Sequence, residues 1–474
     1  MKENRKVKSE KLRYRLTAII FRNPPAQRTQ QLFIFHYSLF IKKVYRMNTP
    51  IHNFLINYSE KNMVRCHMPG GKGLNSPFDI TEIDGADSLF EADGIINESE
   101  RIAASLFGSG ATLYSCGGST LAIQGMLGTV KQLTSKNTIV AGRYSHKSLL
   151  TSCILLGFDI KWAYPGEYLS AVISPEEIER LIDDDTAAVF VSSVDYYGGE
   201  ADIAAISEVC RRHGIYLLVD NAHGAYKVFT ENHPITLGAD MTADSAHKTL
   251  PCLTGGAYLH LKNAQLYSVA KSVMGMFGSS SPSYLILDSL DTCNSFISEK
   301  KEQALCAIEN VKNLKTKLAD KGYTIRNSDA MRITIDAEAY GYSGSELAQL
   351  MREKGAECEM SDEKYTVLLF SVSQKQENFT VLEKIMSDIP QKTSLTNGMH
   401  ILLKPERALS PRDAYFTVKT TVKTTDAEGR TCAGVHCPCP PCVPLVMPGE
   451  KIDGKCISEL MRYGVAHIDI CADI

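Results

Sequence analysis

IYLLVDNAHGAY (215–226) and ADMTADSAHKTLPCLTGG (239–256) decide the fold between them. The first opens on an apolar run, residues 215–219, and delivers Asp220 at its carboxyl end ahead of the turn NAHGAY. A run that is apolar on both faces suits a strand buried between layers of helix. TIVAG (138–142) and AAVFVSS (187–193) have the same character upstream. Stretches of helical period separate these runs: ERIAASLF (100–107), STLAIQGMLGTVKQL (119–133), PEEIERLID (175–183) and IAAISEVCRRHG (203–214). Strands alternating with helices predict an α/β fold with a mostly parallel, doubly wound sheet. In such a sheet ligands bind outside the carboxyl ends of the strands, which puts Asp220 where a ligand would lie.

Further along, residues 283–322 read as largely helical and bridge to a second region. From about 323, short strands (YTIRN, MRITID, YTVLLF) mix with helices (SELAQLMREKG, FTVLEKIMSDI), as in a smaller α+β domain. The Pro-rich stretch HCPCPPCVPLVMPGE (436–450) is expected to be loop or edge strand, because proline cannot donate to a ladder. The expected organisation is therefore a large domain over 47–300, with an N-terminal lead-in from Met47, and a C-terminal α+β domain over 301–474. Residues 1–46 carry 12 Lys/Arg against 2 Asp/Glu and are expected to be an extension outside the fold.

That asymmetry leaves the remaining 428 residues acidic, with 39 Lys/Arg against 52 Asp/Glu, which argues against a nucleic-acid groove. QLFIFHYSLFI (31–41) is too short and too interrupted to span a membrane. The 14 cysteines are scattered without the spacing of a small disulfide scaffold, so reduced thiols and a cytoplasmic location are expected.

Chemistry concentrates around Lys248. Ser245, His247 and Thr249 flank it, ahead of a glycine pair, and offer hydroxyl and imidazole groups able to hold a phosphate. A phosphate-bearing aldehyde cofactor needs that set: an amine to form the imine, and donors for the anchor. Taken alone, SAHK is a weak signal and more often marks a surface lysine. Asp220 suits pairing with the protonated pyridine nitrogen of pyridoxal phosphate, which keeps the ring an electron sink; a helix N-cap is the plainer reading. In LYSCGGSTLAIQGML (113–127) a Gly-rich turn with Ser119 and Thr120 opens an apolar helix, a natural seat for a phosphate dianion or simply a capping turn. His146, in AGRYSHKSLL (141–150), follows a strand and is positioned to stack on a cofactor ring.

The order of HMPGGKG, GGSTLAIQ, RYSHKS, SVDYYGGEADI, VDNAHGAY, SAHKTL, SSSPSY and SPRDAYF resembles the Orn/Lys/Arg decarboxylases, from about Met47 onward, most closely in the large domain. The resemblance implies the fold of fold-type I pyridoxal-phosphate enzymes and decarboxylation of a basic amino acid, within polyamine metabolism. It implies Lys248 as the Schiff-base lysine, Asp220 on the pyridine nitrogen, His146 over the ring, and Ser119, Thr120, Ser245 and His247 around the phosphate. His223 is similar to a family histidine near the cofactor and joins Lys248 as a candidate acid for returning a proton to Cα. SSSPSY (279–284) resembles a segment that reaches a neighbouring subunit's site, which implies a homodimer or a larger homo-oligomer.

Four positions depart from the family's pattern. Gly71 stands where a histidine is expected, Gly434 where a glutamate would help with the basic substrate, and Cys439 and Cys442 replace a tyrosine and a glycine. These changes spare the cofactor residues and leave arginine, lysine and ornithine open as substrates, with arginine ahead because short family members are often biosynthetic arginine enzymes. Cys432, His436, Cys437, Cys439 and Cys442 also invite a metal reading, but their spacing is irregular for a zinc knuckle, and no metal is expected. Another pyridoxal-phosphate reaction, such as transamination or elimination, would use the same Lys248 and Asp220 and normally an arginine for the substrate carboxylate. A non-catalytic descendant that binds the cofactor is the remaining alternative.

Overall fold

The computed structural model describes residues 47–61, 63–68, 76–167, 170–326, 328–395, 402–437 and 442–472. The extension expected at 1–46, and the departures at Gly71 and Cys439, lie outside the described residues.

The lead-in forms helix α1 (Pro50–Glu60), followed by α2 (Ile95–Phe107). The large sheet and its helices then run β1 (Ala111–Ser115), α3 (Gly118–Leu133), β2 (Thr138–Gly142), α4 (Lys147–Leu156), β3 (Asp159–Ala163), α5 (Pro175–Leu181), β4 (Thr186–Ser192), α6 (Ile203–His213), β5 (Tyr216–Asp220), β6 (Met241–Asp244), the single turn α7 (Ala246–Thr249), and β7 (Ala257–Leu261). Helices α8 (Tyr267–Phe277), α9 (Tyr284–Glu299) and α10 (Lys301–Asp320) lead to β8 (Thr324–Arg326), β9 (Arg332–Asp336), α11 (Ala337–Tyr340), α12 (Gly344–Glu353), β10 (Met360–Ser361), β11 (Tyr365–Leu369) and α13 (Gln376–Ser387). The chain closes with α14 (Pro411–Phe416), β12 (Lys419–Lys423), α15 (Gly454–Arg462) and β13 (His467–Cys471).

The seven-stranded sheet has the order β1-β7-β6-β5-β4-β2-β3. Pairings from β3 through β6 are parallel, and β7 lies antiparallel to both β6 and β1. Alternation of side chains accounts for the apolar runs. In β5, Leu218 enters one core with Ile123, Met126 and Phe190, while Leu217 and Val219 enter the opposite one with Ile206 and Val209. Both faces are dry, as a parallel sheet covered by crossover helices requires. Close helix contact on one face depends on glycine: a Cβ at Gly128 of α3 would lie 2.4 Å from Val273 Cγ1 of α8.

Two smaller sheets complete the fold. One is four-stranded and antiparallel, β10-β11-β9-β8, and the other pairs β12 with β13. Among its described residues the Pro-rich stretch contributes isolated bridges, His436 to Val446 and Arg407 to Glu450, in keeping with loop or edge strand. Among the described residues, no helix is long and apolar enough to cross a membrane.

Candidate active site

The carboxyl ends of the parallel strands converge on one cavity. β5 ends on Asp220, β4 on Ser192, and β2 leads through Arg143 and Tyr144 to His146, whose ring caps α4 by accepting from the Ser148 amide at 3.2 Å. From β6 the chain passes Ser245 into α7, which carries Lys248. Lys248, Asp220, His146, Ser119 and His223 all line this cavity, together with Tyr144, Asp195, Tyr196 and Val443.

Lys248 Nζ lies 2.8 Å from His223 Nε2, and its amine is 5.5 Å from the Tyr196 ring centroid. Burial pushes the Lys248 pKa down against the opposing pull of Asp220 and Glu359. His223 is driven well below the ordinary histidine range by burial and by the cations Lys248 and Arg332. His146 is pushed down to about 4, chiefly by burial and then by Lys248. Burial thus disfavours the charged form of Lys248 and of the two histidines beside it, a direction that favours nucleophilic attack by the lysine. Asp220 accepts one hydrogen bond, from the Ala222 amide at 3.0 Å, and its carboxyl is raised by burial. It caps no helix, since the next helical element is the 3-10 turn Ala225–Phe229.

At the start of α3, Ser245 Oγ donates to Ser119 Oγ at 2.9 Å, and no side chain caps the helix. Two hydroxyls beside an uncapped helix N-terminus are a suitable donor set for a phosphate. Thr120, one residue on, is exposed and does not line the cavity. His247 is half-buried and also outside the lining; its Nδ1 hydrogen-bonds the Gly256 carbonyl at 3.0 Å. A lysine, a buried carboxylate and a ring-bearing histidine around one cavity fit the aldehyde, pyridine nitrogen and ring of pyridoxal phosphate in turn, and the Ser119 hydroxyl in the lining, bonded to Ser245 just outside it, fits the phosphate.

Several site residues carried no local signal. Asp195 accepts from the Tyr197 and Gly199 amides on Oδ1, at 2.9 and 2.8 Å, and from Ala171 on Oδ2 at 2.9 Å, which shapes the DYYGG loop. That loop reaches the C-terminal region: Thr334 Oγ1 donates to the Tyr197 carbonyl at 2.7 Å, and Arg332 donates to the Asp195 carbonyl. Arg332 also donates to His223 Nδ1 across 109 residues of sequence. Arg412 of the SPRDAYF motif serves structure, donating to the carbonyls of Ile154 and Leu155 at the end of α4. Tyr284, the last residue of SSSPSY, is buried and donates to the Asp87 carbonyl at 2.6 Å.

Gly434 shows how this chain closes the space that a glutamate would need. A Cβ there would sit 2.2 Å from His436 Nε2 and 3.0 Å from Asp469 Oδ2, while His436 Nε2 accepts from the Asp469 amide at 2.9 Å. Gly434→Ala is expected to cost about 1–3 kcal/mol by overpacking. The penalty should shrink in a His436→Ala background, measured as a double-mutant cycle of urea midpoints; equal penalties in both backgrounds would refute the steric account. Among the described residues Cys432, His436, Cys437 and Cys442 are not gathered into a metal-ligating group. Cys442 adopts φ 56°, a backbone region where glycine is the unstrained residue.

Comparison with known proteins agrees with this geometry. The model of the Orn/Lys/Arg decarboxylase major domain matches residues 49–337, and that of the C-terminal domain matches 393–465. The chain is 27% identical to an arginine decarboxylase of Bacillus subtilis, over 87% of this chain and 93% of the relative. It is 28% identical to an uncharacterized B. subtilis protein, over 88% of this chain and 94% of the relative. The lysine decarboxylase structure of Francisella novicida superposes with a TM-score of 0.72 at 16% identity, covering 90% of this chain and 82% of that one, which establishes the fold-type I architecture. With the family's major domain spanning the sheet and the Lys248 cavity at its carboxyl edge, the chain belongs to the Orn/Lys/Arg decarboxylase family and is a pyridoxal-phosphate-dependent amino-acid decarboxylase.

Proposed function

We propose that this protein decarboxylates a basic amino acid, arginine in preference to lysine or ornithine, with pyridoxal phosphate carried on Lys248, and that the amine product enters polyamine formation. The observation that carries the reading is the convergence of Lys248, His223, His146 and Asp220 on one cavity at the carboxyl edge of the sheet. The preference for arginine is supported by relatives named arginine decarboxylase that align over most of both chains.

When bound, pyridoxal phosphate supplies a conjugated sink for the electron pair released as CO₂ departs. Lys248 would hold the cofactor through its amine between turnovers. Asp220, buried at the end of β5, keeps a proton on the ring nitrogen that a solvated carboxylate would hold less firmly. His146 would cover one face of the ring, and Ser119 and Ser245 would hold the phosphate at the start of α3, with Thr120 and His247 beside them. His223 and Lys248, 2.8 Å apart, would return a proton to Cα, Lys248 after taking one from the incoming substrate ammonium. No arginine lines the cavity among the described residues, which gives no support to a transaminase-like carboxylate clamp. The working unit is proposed to be a homodimer, to be checked by sedimentation.

The test is CO₂ release from arginine, lysine and ornithine by the purified protein supplied with pyridoxal phosphate. Release fastest from arginine is expected. Release fastest from lysine or ornithine would correct the substrate, and turnover of all three without CO₂ would overturn the reaction.

A further inference from the structure

Arg332 opens β9 in the C-terminal region and is fully buried. Its guanidinium donates through one nitrogen to the Asp195 carbonyl and through another to His223 Nδ1. Its charge also acts on the buried Asp329 carboxyl, and its Nε has no hydrogen-bond partner among the described residues. It does not line the cavity, because His223 stands between it and Lys248. Arg332 is therefore not offered to a substrate carboxylate, and whatever it does at the site it does through the imidazole.

A guanidinium has donors only and stays charged in proteins. When it donates to Nδ1 of His223, that nitrogen must present its lone pair, so the proton of the neutral ring sits on Nε2. Nε2–H then points at Lys248 Nζ, and at 2.8 Å the amine must accept, which only the unprotonated amine can do. A protonated lysine would instead meet Nε2–H with N–H. We propose that Arg332 is a positioning residue that locks His223 as its Nε2–H tautomer and so keeps the Lys248 amine a free base. This rests on the reading of Lys248 as the cofactor lysine. The free base is the form that attacks an aldehyde: the C–N bond forms, and the carbonyl oxygen leaves as water with the two amine protons.

Other charged groups around the pair do not replace this role. Asp220 from β5 and Glu359 ahead of β10 pull Lys248 toward protonation, and Cys442 does so only as its thiolate. His146 and His247 face His223 and add positive charge only when protonated. Asp195 spends its carboxylate on the backbone amides of 171, 197 and 199.

The test uses the full-length chain in its cofactor-free form, with trace acetic anhydride as the probe and mass spectrometry of the Lys248 peptide as the readout across pH. Arg332→Met, which has no donor, is expected to slow Lys248 acetylation at neutral pH about tenfold or more, because the amine regains its proton. Arg332→Lys, which keeps a donor and a charge, is expected to retain most of the rate. The drop caused by Arg332→Met should shrink when His223 is already Phe; an undiminished drop would mean simple charge repulsion and overturn the tautomer lock. Should Arg332→Met fail to fold, His223→Phe reads the same contact from the other side, and an unchanged pH profile there overturns the proposal. Labelling involves neither cofactor nor substrate, so it can fail while CO₂ is still released, or succeed where decarboxylation is absent.

Discussion

Lys248→Ala is expected to lose decarboxylation by a factor on the order of 10⁴ or more, and with it the visible absorbance of a lysine-bound cofactor. Lys248 is the lysine among the residues lining the cavity, and its amine is held by His223 on one side with Asp220 facing it at the end of β5. Removing a nucleophile that acts as a unit with its neighbours costs about as much as dismantling the group. The fold should survive, because burial already disfavours the charge on this amine and its deletion leaves no partnered ion stranded. Asp220→Asn separates covalent holding from electronics: the cofactor should still attach, while turnover falls roughly 10²–10³-fold for loss of one preorganised electrostatic partner. Activity and colour measured on both variants decide the assignment. A Lys248→Ala protein that still turns over would remove this residue from the centre of the mechanism.

Arg143→Met is expected to cost about 3–5 kcal/mol of stability, the largest effect outside the cavity. The Arg143 side chain is fully buried and meets Glu450 in a two-pronged pair, at 2.9 and 2.8 Å, across 307 residues of sequence. The same guanidinium donates to the Leu445 carbonyl at 3.0 Å, and the Met447 amide donates to Glu450 Oε2 at 2.8 Å. This knot fastens the late loop to the end of β2, and the loop in turn supplies Val443 to the cavity wall and the Cys442 carbonyl to the Lys147 amide. Cutting one partner strands a buried carboxylate, which is the costly way to break such a pair. Replacing both, as Arg143→Met with Glu450→Leu, should recover much of the loss, because well-packed apolar side chains need no desolvated charge. Urea midpoints of the single and double variants are the measurement; an unshifted midpoint for Arg143→Met would refute the account.

The RYSHKS motif illustrates what local reading reaches. His146 was assignable there, since a histidine after a buried strand faces the ligand edge of the sheet, but the neighbouring Arg143 had no visible partner until Glu450 was folded beside it. Likewise DYYGG was recognisable as a segment, while the three backbone amides that close on Asp195 come from two separate stretches.

By itself the sequence determined the period and burial of the elements. TIVAG coincides with β2, and AAVFVSS and IYLLVD fall within one residue of β4 and β5, because a strand buried on both faces must be apolar at every position. It also determined the chemistry available at Lys248, Asp220, His146 and His223, since residue type and a place after a strand or at a helix start are local properties. The tertiary structure alone decided the rest. β6 is four residues long and carries the buried Asp244, held through Oδ2 by His233 and Asn221 at 2.9 Å each, so no apolar run announced it. β7 is antiparallel, and strand direction is a matter of connection, not of composition. Arg332 reached His223, and Arg143 reached Glu450, because a buried charge is acceptable only where distant parts of the chain bring it donors and acceptors, and a one-dimensional pattern holds no record of which will meet.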